Sequence, residues 1–285
     1  KVNNLTTLTT AKDMQIRDVV ALMSFNEISM EQNSYRKQIN SVYGAVNVGW
    51  KHMLYLDATL RGDQSSTLSV DNNVYVYPSF SGSFVFSELT KLGDLMPYGK
   101  LRMSWAQVGS DTDPYQLGLV YTKSKFAYPG YTIGSIYNNT IPNKDLKPTK
   151  TNSFEMGLEM KFLKNRIGLD VTYYTQSSKN QIMGMASSWT SGYTYRLINA
   201  GEIQNKGIEI ALNTRPIQVK DFSWDLNLNF SKNSNKVKKL VDGMDMFELE
   251  KAPWLDVQVA AKVGENFGSI VGPDFKRSPN GDVLI

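Results

Sequence analysis

Alternation of apolar and polar residues is the feature that most restricts how this 285-residue chain can fold. In residues 222–231 every second residue is large and apolar, from Phe222 to Phe230, and the residues between them are Ser, Asp and Asn. Successive side chains of a β-strand point to opposite faces, so a period of two predicts a strand with one apolar and one polar face. An amphipathic helix would instead need apolar residues every three or four positions.

The same alternation marks further predicted strands along the chain. The predicted strands are 17–30 (a less regular segment), 42–50, 54–61, 74–86, 101–106, 153–162, 167–173, 207–212 and 222–231. Residues 88–96 favour one or two helical turns. No run of about 18 apolar residues is present, so no transmembrane helix is predicted. The expected fold class is all-β and antiparallel, with about nine strands.

The links between the predicted strands alternate in length. Short links fall near 51–53, 163–166 and 214–221, with 87–100 an intermediate case on the short side; long links fall near 62–73, 109–150, 176–201 and from 232 onward. Outer-membrane barrels have short periplasmic turns and long extracellular loops. A soluble β-sandwich has no reason to keep its short turns at one end. The pattern therefore favours a transmembrane β-barrel.

The two faces of the predicted strands support the same interpretation. The apolar faces carry roughly five residues per strand, which suits the 9–11 residues that a tilted strand needs to cross a bilayer. Large aromatic residues lie beside the short links, at the depth where barrels carry aromatic girdles: Trp50, Tyr55, Phe162, Phe222 and Trp224. The opposite faces carry charges that a wide, wet lumen would keep hydrated: Asp57, Arg61, Glu155, Glu159, Asp170, Glu209 and Asp225. An antiparallel sandwich with charged outer faces remains the alternative.

Composition excludes several kinds of chemistry. The chain has no Cys, so disulfides, thiolate metal sites and a Cys nucleophile are impossible. The single histidine, His52, lies in a predicted tight turn, which argues against a His-based triad or a His-rich metal site. We predict no enzymatic activity and no cofactor.

Charged clusters have simpler explanations than ligand binding. The pairs Asp111/Asp113 and Asp242/Asp245 could hold Ca²⁺, but they lack the spacing and central Gly of an EF-hand loop, so turn-forming Asp is favoured. The basic cluster Lys232, Lys236, Lys238 and Lys239 has no RNA-binding motif beside it, so we interpret it as a solvated loop and predict no nucleic-acid partner.

Several segments resemble the SusC/RagA family of TonB-linked outer-membrane proteins, in the family's order. They are YGAVNVGWKHMLYLDATLRGDQSS within 42–67, YPSFSGSFVFSE (77–88), GKLRMSWAQVGSD (99–111), DLKPTKTNSFEMGLEMKFLKNRIGLDVTYYTQSSKNQI (145–182), INAGEIQNKGIEIALNTRPI (198–217), FSWDLNLNFSKNSNKV (222–237) and VGENFGSIVGPDFKRSPNGDVLI (263–285). The strongest similarity is at 145–182, whereas residues 1–41 match poorly.

The resemblance implies a plugged barrel of about 22 strands. It also implies import driven by the TonB complex, a SusD-like surface lipoprotein as a lid, and an oligosaccharide or sometimes a peptide as cargo. Residues 1–285 are then part of one barrel domain in contact with outer-membrane lipid, with the plug domain and TonB box outside the sequence. We expect uptake of an oligomeric nutrient, a glycan before a peptide. A passive porin and a surface or soluble carbohydrate-binding adhesin stay as alternatives.

Aromatic residues in the long predicted loops are the candidate site. An aromatic face can stack on a sugar ring, and a Tyr hydroxyl can add a hydrogen bond. The candidates for cargo or lid contact are Trp189, Tyr193, Tyr195, Tyr128 and Tyr131, and the longest loop also carries Tyr115, Tyr121 and Tyr137. The same residues could instead pack the loops against one another.

Overall fold

The computed structural model describes residues 1–15, 21–90, 93–123, 131, 134–136, 139–253 and 256–283. Their strands are β1 (Val2–Met14), β2 (Phe25–Lys37), β3 (Ile39–Trp50), β4 (Leu54–Ser65), β5 (Val74–Val85), β6 (Tyr98–Ser110), β7 (Tyr121–Lys123), β8 (Gly134–Ile136), β9 (Thr140–Ile141), β10 (Thr149–Phe162), β11 (Ile167–Ala186), β12 (Tyr195–Val219), β13 (Phe222–Lys239), β14 (Met246–Lys251), β15 (Gln258–Lys262) and β16 (Ser269–Val271). One α-helical turn, α1 (Ser87–Thr90), follows β5.

Eight long strands form one antiparallel sheet in the order β13-β12-β11-β10-β6-β5-β4-β3. Each strand neighbours the next long strand in sequence, and β10 pairs with β6 although residues 111–148 lie between them. The short β9 adds to β12 in parallel, and β1–β2, β7–β8 and β14–β16 form separate small sheets. The predicted all-β antiparallel fold is confirmed.

The strand register aligns apolar residues with apolar residues across the whole sheet. One continuous row is Trp50, Leu54, Phe84, Leu101, Leu158, Val171, Ile210 and Phe230. The adjacent row, on the opposite face, is Gly49, Tyr55, Ser83, Arg102, Gly157, Thr172, Glu209 and Ser231. A slip of one residue would exchange the faces, so this pattern strongly specifies the register.

The apolar face is not covered by another layer in the described part of the chain. Phe80 is 56% exposed, Leu228 52% and Phe230 55%. A β-sandwich would bury these side chains against a second sheet. Exposed apolar residues in contiguous rows are instead what a lipid-facing wall presents.

The short links of the sheet all lie at one end. They are 51–53, 86–97, 163–166 and 220–221, and the other end carries 66–73, 111–148, 187–194 and the segment after Lys239. The predicted alternation of short and long connections is thus present. Among the described residues no helix is long and apolar enough to cross a membrane.

Several predicted boundaries were wrong because strands extend beyond their apolar rows. Strand β11 continues to Ala186 and β12 begins at Tyr195, so the loop predicted at 176–201 is only 187–194. Strand β13 continues to Lys239, which places the basic cluster of Lys232, Lys236, Lys238 and Lys239 on a strand and not in a loop. These extensions mix polar and apolar residues on both faces, so they give no clear alternation signal.

The region before β3 also differs from the prediction. A single strand was predicted within 17–30, but β1 and β2 form a hairpin with twelve paired positions, and residues 16–20 lie outside the described residues. Strand β1 alternates weakly because Asn and Thr occupy both of its faces. Downstream, α1 is a single turn over Ser87–Thr90, at the start of the segment predicted to be helical.

Candidate functional site

The polar face of the main sheet is held by an ion pair that spans three strands. Arg102 on β6 donates to both carboxylate oxygens of Asp170 on β11, at 2.8 and 2.7 Å, and to Thr172 Oγ1 at 2.6 Å. A bidentate geometry of this kind fixes both side chains in position. Arg102 reaches β11 by lying across β10, over Gly157.

Glycines on this face make room for long side chains. A Cβ at Gly157 would overlap the guanidinium group of Arg102. A Cβ at Gly207 would lie 2.6 Å from the hydroxyl of Tyr174, which crosses β12 and donates to Asn233 Oδ1 at 3.4 Å. The absence of a side chain at these two positions therefore lets polar groups on alternate strands connect.

Further polar contacts continue along the same face. Asp57 accepts hydrogen bonds from Asn47 and, at 3.2 Å, from Ser81. Arg215 contacts Asp225 at 2.6 Å near the short links. A pocket of about 380 Å³ lies on this face and includes Arg102, Asp170, Thr172, Glu209 and Ser231 in its lining. This mixture of cations, carboxylates and hydroxyls can form hydrogen bonds with a polar ligand.

The long-loop end of the sheet is tied together by Asp111, which follows β6 directly. Its carboxylate accepts hydrogen bonds from Ser65 Oγ, from Thr67 Oγ1 at 3.2 Å and from Lys37 Nζ at 2.6 Å. Ser65 and Thr67 are 0% and 3% exposed. The start of the longest link is therefore fixed to the β4–β5 link and to the end of β2.

A small apolar cluster lies beside this network. Leu68, Tyr75 and Leu146 are buried, and Tyr77 packs against them. The Tyr77 hydroxyl donates to the carbonyl oxygen of Gly109 at 3.1 Å, which attaches β5 to the end of β6. This cluster was not predicted from the sequence, where the two tyrosines in the alternating run VYVYPS (74–79) are its only signal.

The structure joins the two loops that carry the predicted aromatic residues. Trp189 lies in a 3₁₀ turn, Trp189–Ser191, and Tyr193 lies in the same 187–194 link. Tyr195 is the first residue of β12 and is 47% exposed. The backbone N–H of Thr194 donates to the carbonyl oxygen of Asn139 at 2.7 Å, and Tyr195 pairs with Thr140.

The other predicted aromatic residues are less closely connected. Tyr131 is 72% exposed, and Tyr128 and Tyr137 lie outside the described residues. Tyr121 belongs to β7 and is 66% exposed. The Tyr115 hydroxyl accepts a hydrogen bond from the backbone N–H of Arg36 at 3.2 Å, so this tyrosine has a packing contact.

Two of the four acidic residues considered as calcium ligands have cationic partners. Asp111 is bound by Lys37, and Asp242 forms an ion pair with Lys239 at 2.9 Å. The hydrogen bond from Lys239 lowers the pKa of the Asp242 carboxyl. In the part of the chain that the structure describes, no three His, Cys, Asp or Glu residues cluster in a way that could hold a metal ion.

Comparison with known proteins shows the family to which this chain belongs. Residues 6–248 match the family described as TonB dependent receptor-like, beta-barrel. TonB-dependent receptor P3 of Formosa agariphila is 29% identical over 258 residues, which cover 87% of this chain and 26% of that protein. TonB-dependent receptor SusC of Bacteroides thetaiotaomicron is 29% identical over 227 residues, which cover 75% of this chain and 22% of SusC. The chain thus spans about a quarter of the length of these relatives.

Solved structures confirm the fold. The RagAB peptide importer in its closed-closed state superimposes with a TM-score of 0.77 at 21% identity, covering 92% of this chain and 30% of the RagAB chain. At this level of identity the similarity supports the fold alone. That fold is part of the wall of a large β-barrel. The chain therefore belongs to the TonB-dependent receptor-like β-barrel family of the outer membrane, and its resemblance to the SusC/RagA group is confirmed.

Proposed function

We propose that this chain forms part of the wall of a TonB-dependent outer-membrane importer, with its apolar face toward lipid and its charged face toward the lumen. The observation that carries the proposal is the continuous eight-stranded antiparallel sheet with one apolar and one charged face. Family membership supports it, because relatives of this chain are TonB-dependent receptors.

The 285 residues are one part of a single barrel domain in this proposal. Within the described residues, β3 pairs only with β4. On the outer edge of β13, the backbone hydrogen bonds of the described residues are those of Val237 with Glu265 and Gly264. Unpaired sheet edges are avoided in membranes, where every backbone group needs a partner. Further strands of the same barrel would satisfy these edges.

The cargo we propose is an oligomeric nutrient, with a glycan preferred and a peptide as the second candidate. Hydroxyl, amide and charged groups on the polar face suit a hydroxyl-rich oligomer. The peptide candidate is supported by the similarity of fold to RagAB, which is described as a peptide importer.

We further propose that a SusD-like lipoprotein covers the long-loop end as a lid and that the TonB complex supplies energy. The loops at this end are anchored through Asp111 and the Leu68, Tyr75 and Leu146 cluster, so they offer a defined surface to a lid.

The dependence of uptake on TonB has a direct test. Deleting TonB should abolish cargo uptake by the complete receptor that contains this chain, whereas continued uptake would indicate a passive porin.

The site residues we propose are Trp189 and Tyr193, in contact with cargo or lid. Replacing both with Ala should weaken cargo or lid binding several-fold, since an aromatic contact contributes roughly 0.5–1.5 kcal/mol. Replacing both with Phe keeps an aromatic ring at each position and should preserve most of the binding. Growth on single glycans or peptides and the affinity of the purified receptor are the measurements. Unchanged growth and unchanged lid affinity in the Ala variant would leave these residues as loop packing.

A further inference from the structure

A group of lysines lies where the apolar face of the main sheet ends, on the long-loop side. Toward that end, Lys232 follows Phe230 on the same face of β13, and Lys206 precedes Ile208 on the same face of β12. Lys236, four residues beyond Lys232 on the same face of β13, lies opposite Gln204 of β12. With Lys150 of β10, which is also on this face, Lys206, Lys232 and Lys236 form what we call the lysine border.

The lysine border marks a sharp change in the character of the sheet. The last apolar row pairs Met156 with Tyr173 and Tyr173 with Ile208, and Ile208 already lies opposite Lys232 of the border. The next row on this face pairs Thr175 with Lys206 and Lys206 with Ser234. Strands β11 to β13 therefore pass from apolar to polar or basic residues at nearly the same height.

The positive charge of the border is not neutralised within the described residues. Lys150 lies opposite Lys179, and Lys179 contacts Glu202 at 3.4 Å. No described carboxylate lies within 4 Å of the ammonium groups of Lys150, Lys206, Lys232 or Lys236. All four of these lysines are exposed.

The opposite face of the same strands differs in its charge balance. There Arg102 pairs with Asp170 and Arg215 with Asp225. These two arginines of the luminal face are thus paired with carboxylates, whereas the outward face gathers unpaired lysines at the end of the apolar rows and beyond it. An excess of one charge sign on one face, within a few residues of the end of the apolar rows, is complementary to an anionic surface at that level.

We propose that the lysine border binds the phosphate groups of lipid headgroups in the outer leaflet. Long loops of outer-membrane barrels are extracellular, so the end of the apolar face nearest them lies at the level of the outer headgroups. Lysine places its alkyl chain along apolar surface and its ammonium group in the polar layer. The inference depends on the outer-membrane location of the barrel and not on the identity of the cargo.

The test uses the complete receptor with Lys150, Lys206, Lys232 and Lys236 all replaced by Gln. The matched control replaces Lys12, Lys220, Lys262 and Lys276, four exposed lysines outside the border, with Gln, so both variants lose the same charge. Each protein is placed in phosphatidylcholine nanodiscs, and binding of fluorescent lipid A is titrated. Circular dichroism and heat-dependent gel migration verify that each barrel is folded.

We expect the border variant to bind lipid A at least about tenfold more weakly, since each lysine near a charged membrane contributes roughly a factor of five. The control should bind as the unmodified receptor does. Equal binding by the border variant, or an equal loss in the control, would overturn the proposal. Complete displacement of lipid A by millimolar inorganic phosphate would also overturn it, because the site would then recognise a small anion and not a membrane lipid.

Discussion

At the scale of single residues, glycine is as important to the luminal face as its charged residues. Arg102 reaches Asp170 only because Gly157, on the strand between them, has no side chain. The sequence predicted Asp170 on a charged face, but it did not predict this partner. Two residues 68 positions apart become partners through the register of three strands, and single-strand alternation carries no information about register.

Gly157→Ala should destabilise the barrel by about 1–3 kcal/mol, because the added Cβ forces Arg102 away from its position over β10. Gly62→Ala is the matched control, since a Cβ at Gly62 meets no atom within 4 Å. The free energy of unfolding, from urea titration in lipid vesicles, measures both. Equal effects of the two substitutions would contradict the assigned role of Gly157.

Leu228→Arg should cost about 2–4 kcal/mol of stability if Leu228 lies near the bilayer midplane, because it places a charge toward lipid. Asn227→Arg should be tolerated, since Asn227 lies opposite Asn213 on the luminal face whereas Leu228 lies opposite Leu212. Urea titration in lipid vesicles measures the free energy of unfolding of both variants. Equal losses would show that the faces are wrongly assigned.

At the scale of elements, the sequence predicted the membrane-crossing part of each strand better than its ends. The apolar rows of β10 and β13 were predicted because one face must meet lipid and the other water. The extensions of β11 to Ala186 and of β12 back to Tyr195 lie beyond the apolar rows, where no solvent difference between faces imposes a pattern. The cluster of Leu68, Tyr75 and Leu146 joins links that are distant in sequence. The residue pattern within any single strand therefore could not predict it.

Asp111→Asn should loosen the longest link without unfolding the barrel. It removes the ion pair with Lys37 and weakens the hydrogen bonds from Ser65 and Thr67, which lie at the long-loop end of the main sheet or beyond it. We expect faster cleavage within 111–148 in limited proteolysis and an unchanged free energy of unfolding. Asp113→Asn, at an exposed position two residues away, is the control. Equal cleavage of both variants would show that Asp111 does not anchor the link.

At the scale of the whole molecule, the account depends on one assignment: the apolar face meets lipid and the polar face meets water. This assignment explains why Phe80, Leu228 and Phe230 remain exposed in the described part of the chain. It also explains why charged residues line the opposite face in paired contacts. Loop contacts with cargo and lid, and energy supply by the TonB complex, are proposals that also depend on parts of the importer beyond this sheet.

Cysteine scanning along β13 tests this assignment most directly, because the chain has no cysteine of its own. Single Cys substitutions from Leu226 to Ser231 are made in the complete receptor, in intact outer membranes, and treated with a water-soluble maleimide. The account predicts labelling with a period of two: strong at Asn227, Asn229 and Ser231, and weak at Leu226, Leu228 and Phe230. Uniform labelling, or the reverse pattern, would contradict a barrel wall with these faces.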